Sequence, residues 1–176
     1  MIVRDPDDGV RETEVLKQDN DELCYPNDPI PLSQSARLKQ RINVVNRLAA
    51  RHKDYAYQRL VSIHVDSRSE SDNVDVFFYY DQNKKAGHCF ADNLQKTISR
   101  KYDQYQPGRG YNGTVSSRNL YVIKFSNVPG VLIEVGNINH ERDRVRLMKP
   151  ENRQAIANWL TEGIVRDYEK NSAATR

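Results

Sequence analysis

The stretch 59-RLVSIHVDSRS-69 decides the fold. Its centre, LVSIHV, carries the β-branched and aliphatic residues of a strand buried in an α/β sheet. It ends in polar residues, as such strands do at the carboxyl edge where ligand sites gather. One residue breaks the pattern: His64 stands in the middle, and Asp66, Ser67 and Arg68 follow it at once. Taken alone, such a histidine is more often a core side chain satisfied by one hydrogen bond than a ligand. The rest of the chain has to shift that balance.

Upstream, Leu38, Ile42, Val45 and Leu48 or Ala49 share one helical face, predicting a helix from Ser33 to about His52 with Ser33 or Ser35 as its cap. Downstream, 73-NVDVFFYY-80 predicts a second strand. Phe90, Leu94 and Ile98 form the apolar stripe of a helix over 84–102, and PGRGYNG is a loop by its glycines. Two apolar runs, 120-LYVIKF-125 and 131-VLIEVG-136, read as strands separated by SNVPG. Ile156, Trp159 or Leu160, Ile164 and Tyr168 set the face of a closing helix that begins near Pro150. Helices alternating with strands predict an α/β class: a single domain with a mostly parallel central sheet and helices on both faces. Residues 1–31 are charged and turn-rich, and the prolines of CYPNDPIP block regular structure, so only TEVLK reads as a strand there. The domain is therefore expected over 32–170, after an irregular segment 1–31 and before a disordered tail at 171–176.

Composition narrows the partners. The 176 residues fit one core, and 27 basic against 24 acidic residues leave +3 with the two signs interspersed. No basic block suits a nucleic-acid backbone, so no nucleic-acid partner is expected. No apolar run approaches the ~20 residues of a membrane helix, so no membrane insertion is expected, and MIVRDPDDGV has no signal-peptide pattern. The chain reads as soluble, with no address of its own. Cys24 and Cys89 have no metal or redox spacing, and their pairing is left open.

A second interrupted strand matches the first. Glu134 sits within Val131, Leu132, Ile133 and Val135. A buried carboxylate is unfavourable unless it is paired, neutral or beside a metal, and the plain alternative turns it outward on an edge strand. If both strands end at the same sheet edge, His64 and Glu134 converge. That pair is the minimum for a zinc site with a general base: a neutral imidazole binds the metal, which lowers the pKa of its bound water to ~7, and a nearby carboxylate takes the proton.

VSIHVDS, the helix with CFADNLQKTI, the RGY loop, LYVIKFSNVPGVLIEVGNINHERD and PENRQAIANWLTEGI together resemble the zinc-dependent N-acetylmuramoyl-L-alanine amidases, the peptidoglycan amidases of bacteria and their phages. The resemblance covers about residues 32–168, and SIH followed by P-x-V-L-I-E-x-G is its specific part. It implies a Zn2+ cofactor, His64 as a zinc ligand, Glu134 as the catalytic residue, peptidoglycan as partner, and an extracytoplasmic place of action (periplasm, cell wall or secreted). PLSQSARLKQRINVVN resembles the segment that precedes the SIH strand.

The chain departs from the family at its start. The family's first zinc-ligand histidine precedes the first helix, and no histidine precedes His52 here. In one alignment GVRETEV matches the family's glycine-to-glutamate segment, and Glu12 becomes the second ligand. In the other, TEVLKQDND matches the family's second strand, so that the first strand and helix of the family are missing. The second fits better, because the positions between Glu12 and Leu32 are too few and too broken by CYPNDP for both a helix and a strand. A sheet without its first strand exposes an unpaired edge and an apolar face.

Other residues weigh less. His52 closes a basic helix end and reads as surface; His88 and Cys89, adjacent on a helix, point apart and do not chelate; His140 reads as loop surface. Arg109 in the RGY loop and Asn137 after Glu134 are candidate substrate contacts for a peptide carboxylate or amide. Two functions follow: zinc-dependent hydrolysis of the bond between N-acetylmuramic acid and L-alanine, or an inactive amidase-like domain that binds peptidoglycan or regulates an intact amidase. The missing histidine is the support for the second.

Overall fold

The computed structural model describes residues 2–4, 21–70 and 72–173. Near the start three two-residue strands, β1 (Val3–Arg4), β2 (Leu23–Cys24) and β3 (Asp28–Pro29), form a small antiparallel sheet. The prolines therefore do not abolish regular structure there. Pro29 needs no ladder donor because it lies on the outer strand and is exposed. TEVLK lies outside the described residues.

Helix α1 (Gln34–Arg51) is capped by Ser33, whose hydroxyl accepts from the Ala36 N–H at 3.2 Å. Strand β4 (Leu60–Asp66) follows, then β5 (Phe77–Tyr80), α2 (Lys85–Tyr105), β6 (Val115–Ser117), the single turn α3 (Tyr121–Lys124) and β7 (Gly130–Asn137). Two helices close the chain, α4 (Glu141–Met148) and α5 (Pro150–Ala173). The sheet order is β4-β7-β5-β6. The β4–β7 and β5–β6 pairs are parallel and β5–β7 is antiparallel, so the sheet is mostly, but not purely, parallel.

Helices cover both faces. On one, α2 and α5 pack Phe90, Leu94, Ile98, Ile156 and Leu160 against Val76, Phe78, Val131 and Ile133. On the other, Ile42 of α1 and Val122 and Ile123 of α3 meet Tyr79 and Leu132, with Leu38, Leu60 and Phe77 packed around them.

Several elements differ from their sequence pattern, each for a visible reason. The run at 120–125 is a helical turn, because the Lys84 ammonium donates to the carbonyls of Ile123, Lys124 and Ser126 at 2.6–2.9 Å. A lysine thus satisfies groups that a strand would have paired in a ladder. Strand β5 is shorter than 73–80, since side chains take the upstream backbone groups. Asp143 accepts from the Val74 N–H at 2.7 Å, while Arg146 and the Tyr111 hydroxyl donate to the carbonyls of Val74 and Val76. The periodicity did not predict β6 or α4. Helix α5 extends into the first three residues of the expected tail, to Ala173, held near its end by Asn171 Nδ2 to the Asp167 carbonyl and by Lys170 Nζ to Asn93; residues 174–176 lie outside the described residues.

Among the described residues β4 has a strand partner on one side only, β7. Ile63 and Val65, on its α2/α5-side face, are 61 % and 48 % exposed.

Candidate active site

The parallel register of β4 and β7 sets His64 directly opposite Glu134. Alternation along each strand puts Leu60, Ser62 and His64 on one face with Leu132 and Glu134, and the β5 register adds Phe77 beside Glu134 and Tyr79 beside Leu132. This is the α1/α3 face. The two anomalous residues of the sequence therefore converge, as neighbours on adjacent strands.

The register slips between His64 and Asp66, so that Asp66 pairs with Asn137. A slip of this kind re-aims side chains at a strand end. Asp66 here holds Arg68, whose Nε lies 2.6 Å from Oδ2. The Arg68 guanidinium lies 5.2 Å from the Phe77 ring centre and donates from Nη2 to the Tyr79 hydroxyl at 3.1 Å. Arg118, just past β6, sets its guanidinium 4.9 Å from the Tyr79 ring centre.

Burial, and then the negative charge of Asp66, push the Glu134 carboxyl up to about 7, against the opposing pull of Arg68 and Arg118. Its Oε2 atom is buried without a hydrogen-bond partner among the described residues. His64 is held below its ordinary value by burial and then by the charge of Arg41, which favours the neutral imidazole near pH 7. Its Nε2 lies 2.9 Å from the Ser62 hydroxyl. A neutral imidazole thus stands beside a carboxyl poised to take or give a proton near neutrality.

A resident zinc is the cofactor this arrangement brings to mind, and a catalytic zinc needs at least three protein ligands. The described residues contain no group of three His, Cys, Asp or Glu side chains able to hold a metal. His64 is the one imidazole on this face, its Nε2 is engaged by Ser62, and its charged neighbour is Arg41, a cation. The described residues do not complete a zinc site. Glu12, the tentative second ligand, lies outside them.

Two other predicted contacts are placed elsewhere. Arg109 lies on the α2 side, donating to Asp75 at 2.5 Å and stacking 4.7 Å from the Tyr102 ring centre, so its fork is committed to a buried carboxylate. Asn137 is fully buried, and its amide donates to the carbonyls of Ser69 and Asp72 at 2.7 and 2.9 Å. Asn137 is an internal brace, whereas Arg109 is exposed and holds the buried Asp75 from the surface. Asn137 also has a use at the site: with Asn139, which donates to the Arg68 carbonyl at 2.9 Å, it pins the loop that carries Arg68.

His140 is not loop surface but the N-cap residue of α4, with 17 % side-chain exposure and Nδ1 3.9 Å from Asp143. His52 is exposed at the end of α1. His88 stacks on Tyr80 at 4.3 Å, and Cys24 and Cys89 are free thiols. Arg41, Tyr79 and Arg118 went unnoticed in the sequence. No motif marks them, and they reach the site from α1, β5 and the end of the unforeseen β6. Arg68 was in view, but its role depends on a fold-back over β5.

A sequence profile of the family Amidase_3, N-acetylmuramoyl-L-alanine amidase, matches residues 13–166. The match takes in TEVLK and begins just after Glu12. The probable cell wall amidase LytH of Staphylococcus aureus is 27 % identical over 115 residues, 64 % of this chain and 36 % of that protein. The chain thus spans only about a third of the length of that curated relative. Among solved structures, the catalytic domain of CwlV, an N-acetylmuramoyl-L-alanine amidase from Bacillus (Paenibacillus) polymyxa var. colistinus, superposes with a TM-score of 0.62 at 25 % identity, covering 81 % of this chain and 69 % of that one. An N-acetylmuramoyl-L-alanine amidase from Clostridium difficile 630 superposes with a TM-score of 0.64 at 20 % identity, covering 82 % and 70 %, a likeness of fold.

Proposed function

Because the chain belongs to the N-acetylmuramoyl-L-alanine amidase family, we propose that it hydrolyses the amide bond between N-acetylmuramic acid and L-alanine in peptidoglycan, and so lyses or remodels the cell wall. The observation that carries this reading is the pairing of His64 and Glu134 in register on one sheet face. Glu134 has the attributes of a general base: a carboxyl raised to about 7, with a buried oxygen that no group among the described residues engages. It takes a proton from water as that water attacks the lactyl carbonyl, and returns it to the departing nitrogen of L-alanine. The substrate puts the place of action outside the cytoplasm. Among the described residues no helix is long and apolar enough to cross a membrane.

Zinc is part of the proposal. His64 supplies one ligand, and the others have to come from beyond the described residues, with Glu12 as one candidate. A second reading is favoured by the incomplete donor set: a domain that binds peptidoglycan or regulates an intact amidase without cleaving it. One experiment separates them. Purified sacculi are incubated with the wild type and with Glu134→Gln, with zinc or with chelator, and newly freed L-alanine amino groups are counted. The enzyme reading expects cleavage with zinc and a loss of about 10²–10⁴-fold in Glu134→Gln; equal rates in the two would sink Glu134 as base. Retention on sacculi in chelator, with no cleavage under any condition, establishes the binding reading instead.

A further inference from the structure

The sheet face that holds Glu134 continues across Tyr79 to a second feature, a polar hollow of ≈ 200 Å³ lined by Asp81, Gln82, Asn83, Ser117, Arg118 and Lys124, with Asn119 beside them. Arg118 joins the two places, since it walls the hollow and lies over the Tyr79 ring. The charges here are unequally committed. Asp81 is bound by the Asn83 backbone and amide at 3.1 and 3.3 Å and lies 3.9 Å from the Lys84 ammonium. Arg68 is matched by Asp66. Arg118 is exposed and has no ion-pair partner among the described residues, although its side chain is laid down on an aromatic ring. A guanidinium oriented by stacking keeps its planar fork free, and that fork matches a carboxylate.

We propose that Arg118, with the polar hollow beside it and Arg68 behind it, is the subsite for a free carboxylate on the peptide stem of the substrate. The contact sets specificity for the reaction proposed above and rests on that reading. With the scissile amide at Glu134, the stem crosses Tyr79 toward the hollow. The carboxylate of the residue that follows L-alanine meets the Arg118 fork, while Gln82, Asn83 and Ser117 supply amide and hydroxyl partners for the backbone. Lys124 adds a second positive charge to the wall. Arg68 neutralises Asp66, so the stem carboxylate does not meet an uncompensated negative charge on its way in.

The test uses the full chain and two soluble probes that differ at one group, N-acetylmuramoyl-L-alanyl-D-glutamate and N-acetylmuramoyl-L-alanyl-D-isoglutamine, each with its γ-carboxyl blocked as the methylamide, so that the α-carboxylate is the one free carboxylate of the acid and is replaced by an amide in its counterpart. The wild type should prefer the acid by about ten-fold in kcat/KM, carried by KM, and Arg118→Gln should bring the acid-to-amide ratio close to one, with Arg118→Lys in between. A wild-type ratio near one, or a ratio that Arg118→Gln leaves unchanged, overturns the subsite while leaving the amidase reading intact. If neither probe is cleaved, the amidase reading fails separately, and calorimetric binding of the same two probes decides. An acid preference that Arg118→Gln removes upholds the subsite; equal binding or none overturns it.

Discussion

Three buried aspartates on the α2/α5 side of the sheet and Glu134 on the other side are held in opposite ways. On the α2/α5 side, Asp143 takes hydrogen bonds from Asn73, the backbone N–H groups of Val74 and Asn137, and Arg146, all at 2.7–3.1 Å. Asp167 takes them from Tyr57, Arg59 and Asn93 at 2.7–3.0 Å, and Asp75 from Arg109 and the Asn112 N–H. On the α1/α3 side, Glu134 keeps Oε2 buried and unpartnered among the described residues. A satisfied buried carboxylate braces the fold, whereas one left with a free oxygen and a raised pKa stores reactivity. The difference separates the part of the molecule built for stability from the part built for chemistry.

Three substitutions test that contrast, beginning with the largest effect. Asp143→Ala leaves Arg146 and two backbone N–H groups without their acceptor, so urea unfolding should show a loss of about 3–5 kcal/mol. A loss under about 1 kcal/mol would mean that the braced face is no more dependent on its carboxylates than the other. Glu134→Gln should act in the opposite direction. The Glu134 carboxyl is raised from 4.5 to about 7 in the folded chain, so the unfolded state gives up its proton first as pH rises. The wild type therefore loses stability between those two pH values and does not regain it above them. Glutamine does not titrate, so the variant should match the wild type at pH 4 and exceed it at pH 8 by up to about 3 kcal/mol in metal-free buffer. A stability difference that does not change with pH would show that Glu134 is not held in the manner described.

The smallest effect belongs to Ser33→Ala, which removes the cap of α1 and should lower stability by about 1 kcal/mol. Hydrogen exchange sharpens it. Faster exchange confined to α1 would show that the helix over the site opens separately from the braced face, while faster exchange throughout would show one cooperative unit.

His64, Glu134 and the strands that carry them were legible in the amino-acid sequence, because an apolar period broken by one titratable residue is a local pattern. The helices with clean stripes, α1, α2 and α5, were legible for the same reason, and so was the class of the fold. The internal partners of Arg109 and Asn137 were not legible, because polarity near a loop looks the same whether the side chain meets a substrate or an internal partner. Only burial, such as the 0 % exposure of Asn137, distinguishes the two.

By itself, then, the sequence determined which residues break a hydrophobic pattern and which family the breaks belong to. The tertiary structure alone decided what surrounds them. The antiparallel turn of β5 brings Phe77 and Tyr79 beside β7, the fold-back of Arg68 reaches Tyr79, and Arg41 and Arg118 converge from α1 and the end of β6 respectively. Those contacts join residues from different elements, and such pairing leaves no period in the chain that makes it.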